Sequence, residues 1–277
     1  MKRLLIAIYC LAALPLTGAA QPTHDYEFFP RDAPFRPPVA DPAEPRVFMS
    51  GLQVKRDAGS FSAAFLGVGV DFGLLRRSSA RPDHGWQLSV FGSADSLFNL
   101  DLPGDALVNT DYRFGLPVTW RNGPFSLRGR FYHQSSHLGD ELILGGNAPR
   151  RVDLSFEAVD LLVAWERSGW RLYGGASQVV RSSTDSYEGS GVHAGFDYVG
   201  PPVFFGQRLT AGLDVKWLEQ ADWRSGVSAK AGIKIGSHTL EQRGITLLLE
   251  AYEGFAPFGQ FFVEDLRYRG ATLQFDF

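Results

Sequence analysis

From about residue 47 to the C-terminus, apolar and polar residues alternate along the chain with a period of two. Leu209, Ala211, Leu213, Val215 and Trp217 share one parity, and Arg208, Thr210, Gly212, Asp214 and Lys216 share the other. The next segment sets Trp223, Val227, Ala229, Ala231, Ile233 and Ile235 against Arg224, Ser228, Lys230 and Lys234. Between residues 106 and 120, Val108, Tyr112, Phe114, Leu116 and Trp120 oppose Asn109, Asp111 and Arg113. Successive side chains of a strand point to opposite faces, so each segment predicts a β-strand with one apolar and one charged face. Such segments number about twelve, the span of an even-stranded closed sheet. They fall at roughly 47–57, 60–76, 85–97, 105–121, 124–136, 152–167, 169–181, 190–199, 204–217, 223–235, 244–255 and 266–277. Asn122-Gly123 and Arg167-Ser168-Gly169 are tight connections at one end, and the longer links 137–151 and 256–265 fall at the other.

The tryptophans say which solvent the apolar face meets. Trp86, Trp120, Trp165, Trp170, Trp217 and Trp223 all fall at strand ends on the apolar parity. Amphipathic rings at both rims of an apolar band form the interfacial girdle of a membrane barrel. In the last segment Leu273, Phe275 and Phe277 alternate with Thr272, Gln274 and Asp276, and the chain ends on an aromatic residue. That ending resembles the C-terminal signal of bacterial outer-membrane barrels, which implies the barrel-assembly machinery as a partner during insertion. The expected fold is all-β, a transmembrane antiparallel barrel of about twelve strands in the outer membrane of a Gram-negative cell. Mean hydropathy of −0.10 fits an alternating sequence. No apolar run beyond the first twenty residues approaches the roughly 20 residues of a membrane helix, and a closed barrel needs none.

The N-terminal region is distinct. Lys2 and Arg3, the apolar stretch Leu4 to Leu16 and the small residues Thr17-Gly18-Ala19-Ala20 read as a signal peptide over residues 1–20. Its cleavage would remove Cys10, the only cysteine in the sequence, excluding disulfides and cysteine metal sites. Residues 21–46 carry Pro22, Pro30, Pro34, Pro37, Pro38, Pro42 and Pro45, which exclude helix and interior strand. This segment is expected to be a periplasmic arm at the barrel base, with residues 47–277 forming the barrel. A formal net charge of −3 without a basic patch gives no reason to expect a nucleic-acid partner.

One segment carries candidate chemistry. Phe125, Leu127, Gly129 and Phe131 hold the apolar parity, and continuing the count puts His133, Ser135 and His137 on the lipid-facing side. Polar groups there are costly and mark function, unless they lie near the extracellular rim, where His133 and Ser135 would contact lipopolysaccharide headgroups at little cost. Residues i and i+2 of a strand point the same way, roughly 6.6 Å apart, so His133 can act as base for Ser135. Glu157 shares the apolar parity with Val159, Leu161, Val163 and Trp165 on the following strand. In register with His133, it would complete a Ser-His-acid set. Asp140, Glu141 and Asp153 offer hard oxygen ligands for Ca²⁺, or are simply solvated. His193 falls on the lumen parity beside Asp197, while His24, His84 and His238 fall in the arm or periplasmic turns.

His-x-Ser on one barrel strand with an acid or amide on the next resembles outer-membrane phospholipase A and the lipid A deacylase. The resemblance implies a lipid-ester hydrolase acting on outer-membrane phospholipid or lipopolysaccharide. His133 would be the base, Ser135 the nucleophile and Glu157 the orienting acid, with a homodimer where a partner wall completes the site. The Asn-Gly that follows the serine in the phospholipase is replaced by Ser136-His137, and Asn147 is the other residue at about the right spacing for the third member. Over most of the chain, Tyr132-His133-x-Ser135-Ser136-His137-Leu138-Gly139-Asp140-Glu141, with Ala40-Asp41-Pro42 and Glu44-Pro45-Arg46, resembles a bacterial outer-membrane family known as domain of unknown function 1207. That resemblance implies a barrel and no particular activity. A non-enzymatic barrel, either a narrow pore or a structural protein, stays open beside the hydrolase.

Overall fold

The structure is a computed structural model that describes residues 25–78, 83–145, 153–184, 187–203, 206–236 and 244–276. The signal segment 1–20, His24, Asn147, His238 and the terminal Phe277 lie outside the described residues. The strands are β1 (Asp25–Phe28), β2 (Val47–Arg56), β3 (Gly59–Ser78), β4 (His84–Asn99), β5 (Ala106–Asn122), β6 (Phe125–Leu138), β7 (Leu154–Arg167), β8 (Trp170–Ser182), β9 (Ser190–Pro202), β10 (Arg208–Leu218), β11 (Ser225–Gly236), β12 (Gly244–Phe255) and β13 (Asp265–Asp276). One short helix, α1 (Asp140–Leu144), follows β6. Strands β2 to β13 pair antiparallel with their sequence neighbours, and β13 pairs with β2 to close a twelve-strand barrel. Closure leaves no open edge, which a sheet in hydrocarbon requires. Strand β3 outruns β2, and β1 pairs with its free stretch, Asp25 opposite Ser78 and Phe28 opposite Leu75.

The barrel is inverted relative to a soluble protein. Its outer wall carries Val68, Phe72, Phe114, Leu116, Leu161, Leu172, Leu209 and Leu249, all exposed. Its inner wall buries charge, with Arg171, Lys234 and Asp214 each only 1% exposed. This is the polarity of a wall between lipid and lumen. Trp86 and Trp120 pair across β4 and β5 at the end where β2 begins and β13 ends, and Trp165 and Trp170 lie at the same end. Trp217 lies at the opposite end. Trp223 belongs to the turn before β11 rather than to a strand.

Parity breaks at one expected position. Val108 was expected on the lipid face, but it is buried with Leu97 and Leu138 inside. The β4–β5 register shifts between Leu97 and Phe98, so one extra residue in β5 turns Val108 inward.

The Pro-rich segment goes further than the barrel base and runs through the lumen. Phe35, Val39, Ala40, Asp41 and Glu44 are buried. Backbone carbonyls of the segment accept from the wall: Pro34 from Arg121 at 3.1 Å, Arg36 from Arg171, and Ala43 from Arg113. The Val39 N–H donates to Asp197 at 2.9 Å. Phe35 lies between the guanidinium groups of Arg128 and Arg171, 5.0 and 5.4 Å from its ring centre. Asp41 meets Lys216 at 2.6 Å, and Glu44 meets Arg128 at 2.6 and 2.9 Å and Arg130 at 3.3 Å. Proline suits this path because it lacks an N–H but keeps its carbonyl, which is what an arginine-rich wall can pair. Gly69 and Gly73 admit the segment: a Cβ at either would stand 2.7 Å or less from Arg46 N and Pro30 O respectively.

The 256–264 link folds in from the other end. Gly259 N donates to Asp111 at 3.0 Å and Gln260 Nε2 to the Ser136 carbonyl at 2.7 Å. Phe258 and Phe261 join an apolar cluster with Leu52, Val54 and Phe65. A cavity of about 140 Å³ remains between arm and loop, lined in part by Arg113, Arg130, Tyr132, His193 and Lys216.

Two outcomes are expected. In planar bilayers the wild-type barrel should be silent, and Asp41→Asn combined with Glu44→Gln should produce conductance by loosening the arm. Acid should do the same. Burial alone would raise the Glu44 carboxyl, but Arg128 and Arg130 outweigh it and hold the group down to about 2, from an ordinary 4.5. A depressed folded-state value contributes stability that is complete above the ordinary one and is lost as pH falls toward the depressed one. Conductance should therefore appear progressively between pH 4.5 and about 2. A lumen that conducts equally at neutral and acid pH would contradict this.

Candidate functional site on the outer wall

Strands β6 and β7 carry the site. Along β6, Ser126, Arg128, Arg130, Tyr132, Gln134 and Ser136 follow the lumen parity, leaving His133, Ser135 and His137 outward. Along β7, Leu154, Phe156 and Ala158 are buried, so Ser155 and Glu157 face outward. The register is direct, with His133 opposite Glu157 and Ser135 opposite Ser155.

This pairing brings an acid, an imidazole and a serine together. His133 Nδ1 lies 3.1 Å from Glu157 Oε1. The other ring nitrogen, Nε2, lies 3.4 Å from Ser155 Oγ. With the ring proton on Nδ1, donated to the carboxylate, Nε2 keeps its lone pair toward the serine hydroxyl. The 3.4 Å separation is long for a hydrogen bond, as such contacts often are before substrate binds. Phe114 on β5 backs the imidazole, its ring centre 5.2 Å away. The His133 and Glu157 side chains are 26% and 25% exposed. The second Glu157 oxygen lies 3.8 Å from Arg181 Nε on β8. Ser155 is also fixed from the residue just past β8, its N–H donating to Ser183 Oγ at 2.9 Å while Ser183 donates to the Asp153 carbonyl at 2.5 Å.

The structure thus unites His133 and Glu157 and sets Ser155 rather than Ser135 against Nε2. Ser135 stands opposite Ser155 on the same face, paired on its other side with Tyr112. Ser155 was legible by the same rule that selected Ser135, since it lies two residues from Glu157 on one parity. His137 packs near Tyr112, with ring centres 5.9 Å apart.

The acids proposed for calcium are spread out. Asp140 and Glu141 are exposed in the first turn of α1, and Asp153 is exposed just before β7. Among the described residues the one group of three close ligand atoms is Asp41, His193 and Asp214 in the lumen, within 4.8 Å of one another. Ca²⁺ prefers six to eight oxygens, and these groups already hold one another. Lys216 pairs with Asp41, the Tyr173 hydroxyl donates to Asp214 at 2.7 Å, and His193 bonds Asp214. Asp197, expected beside His193, pairs instead with Arg171 at 2.5 Å. His84 bonds Asp83 at 2.8 Å at the same end of the barrel as Trp86.

The fold has solved counterparts. Outer membrane phospholipase A from Escherichia coli aligns over 87% of this chain and 93% of its own, with a TM-score of 0.57 and 14% identity. The calcium-bound phospholipase dimer from Salmonella typhi aligns over 85% and 94%, with a TM-score of 0.54 and 13% identity. The KdgM porin aligns over 83% and 99%, with a TM-score of 0.47 and 10% identity. At these identities the likeness is one of fold, and the fold is that of bacterial outer-membrane barrels. No curated protein matches the sequence. The family model described as "Protein of unknown function (DUF1207)" matches residues 16–277, nearly the whole chain, and the protein belongs to that family.

Proposed function

We propose that this barrel is a lipid acyl-ester hydrolase whose site is the lipid-facing set Ser155, His133 and Glu157. The observation that carries the reading is the in-register pairing of Glu157 with His133, which leaves Nε2 turned toward a serine. Ser155 Oγ would attack the acyl carbonyl of a lipid in the outer leaflet while His133 Nε2 takes its proton. Glu157 would stabilise the imidazolium that forms. His133 would then return the proton to the departing alcohol, and water, activated by the same imidazole, would release the fatty acid from the serine. Ser135, opposite Ser155, lines the same patch. Neighbours of similar fold that are phospholipases support the reading, as does a lumen filled by the chain's own arm, which speaks against a pore. Phospholipid or lipopolysaccharide would be substrate, the barrel-assembly machinery would insert the chain, and a second copy could lend its wall.

The test is fatty-acid release from phospholipid and from lipid A, with and without Ca²⁺. Ser155→Ala and His133→Ala should each lower release by about 100-fold or more. Ser135→Ala should leave most of it, and Glu157→Gln should fall between. All four should keep heat-modifiable electrophoretic mobility, since the residues stand on the outer wall. Loss in Ser135→Ala with Ser155→Ala active would move the nucleophile to Ser135. No release by the wild type from either lipid would leave a closed, non-enzymatic barrel.

A further inference from the structure

One strand irregularity lies beside the site. Residues Arg171 and Tyr173 of β8 point into the lumen, and Val179 on the same parity packs inward against the Phe156 and Tyr187 cluster. Continued regularly, that parity would put Arg181 in the lumen among the other arginines. The β7–β8 register instead shifts, with Ala158 opposite Val179 but Glu157 opposite Arg181. Val180 is the extra residue, and both Val180 and Arg181 turn outward, the arginine side chain being 82% exposed. A bulge sacrifices regular ladder pairing, and bulges beside functional sites re-aim a side chain.

The re-aimed guanidinium completes a level row across three strands: His133 on β6, Glu157 on β7 and Arg181 on β8. Neighbouring strands are about 4.8 Å apart. Among the described residues its ion-pair contact is Glu157, through Nε at 3.8 Å, and the rest of this outward side chain is exposed. Ser155 lies two residues from Glu157 toward the extracellular end of β7. A planar guanidinium at that level matches a phosphate oxyanion through paired N–H donors. In acyl lipids bearing phosphate, that group is separated from an ester carbonyl by only a few bonds. Resting on the hydrolase reading above, we propose that Arg181 binds the phosphate of the lipid whose ester meets Ser155, and so favours phosphate-bearing acyl lipids over uncharged ones.

Two measurements test this. The first compares release from phosphatidylglycerol, phosphorylated lipid A and uncharged diacylglycerol in the same detergent micelles, for wild type, Arg181→Ala and Arg181→Lys. Arg181→Ala should lose about 10- to 100-fold in kcat/KM on the phosphorylated lipids, the worth of a charged hydrogen-bonded pair. The loss should lie in KM, diacylglycerol should be nearly unaffected, and Lys should restore part of it. Loss on one phosphorylated lipid only would identify which of the two is the substrate. Equal loss on all three lipids would make Arg181 a positioning partner of Glu157 and overturn the proposal, as would no loss at all. The second is native mass spectrometry of phosphatidylglycerol and diacylglycerol retained by the purified barrel. If no variant releases fatty acid, the hydrolase reading falls, and retention still decides on Arg181. Phosphatidylglycerol retained by wild type and lost in Arg181→Ala upholds phosphate binding, whereas equal retention overturns it.

Discussion

The interior of this barrel is held by a match between wall cations and a strand of chain that has little else to offer. Arg113, Arg121, Arg128 and Arg171 point inward and need acceptors, and the Pro-rich arm presents carbonyls with few competing N–H groups. Its two buried acids, Asp41 and Glu44, supply the counter-charge. Removing one partner of a buried pair costs about 3–5 kcal/mol, because the other charge is left uncompensated. The arm is therefore part of the folding unit. Wall and arm each satisfy groups the other would leave buried and unpaired.

With the lumen occupied, the chemistry that remains accessible lies on the outer wall. A β-strand allots alternate side chains to lipid, and His133, Ser135, Ser155 and Glu157 stand on that face of adjacent strands in direct register. Register, more than residue type, makes the site. A shift of one residue between β6 and β7 would turn Glu157 into the lumen relative to His133 and separate the pair. The same rule explains Arg181, where a deliberate shift of one residue delivers a cation to the outside.

The sequence made the barrel legible because period two survives almost everywhere: the observed strands β2 to β13 follow the alternation within a few residues. The outward placement of His133, Ser135 and Glu157 followed from the same count. Bulges were not legible. Val108 and Arg181 both sit where an extra residue inverts the face, and nothing in local composition marks either. The arm's course was only half visible. Proline content excluded helix and strand, but a lumen path depends on arginines far along the chain, such as Arg113, 70 residues from Ala43. Ser155 shares the parity of Glu157 two residues away and is legible by that count, but its closeness to His133 Nε2 is a cross-strand distance that the sequence does not carry.

The position of the arm along the chain also bears on assembly. It ends at Arg46, immediately before β2, and Arg46 reaches across to Gln274 of β13 at 3.4 Å. The β2–β13 seam joins the first and last strands of the barrel, so it can be completed only after the whole chain has been delivered. A barrel zipped shut with the arm outside would leave Arg128 and Lys216 without Glu44 and Asp41. Through Arg46 the seated arm is tied to the strand that closes the seam, so each favours the other.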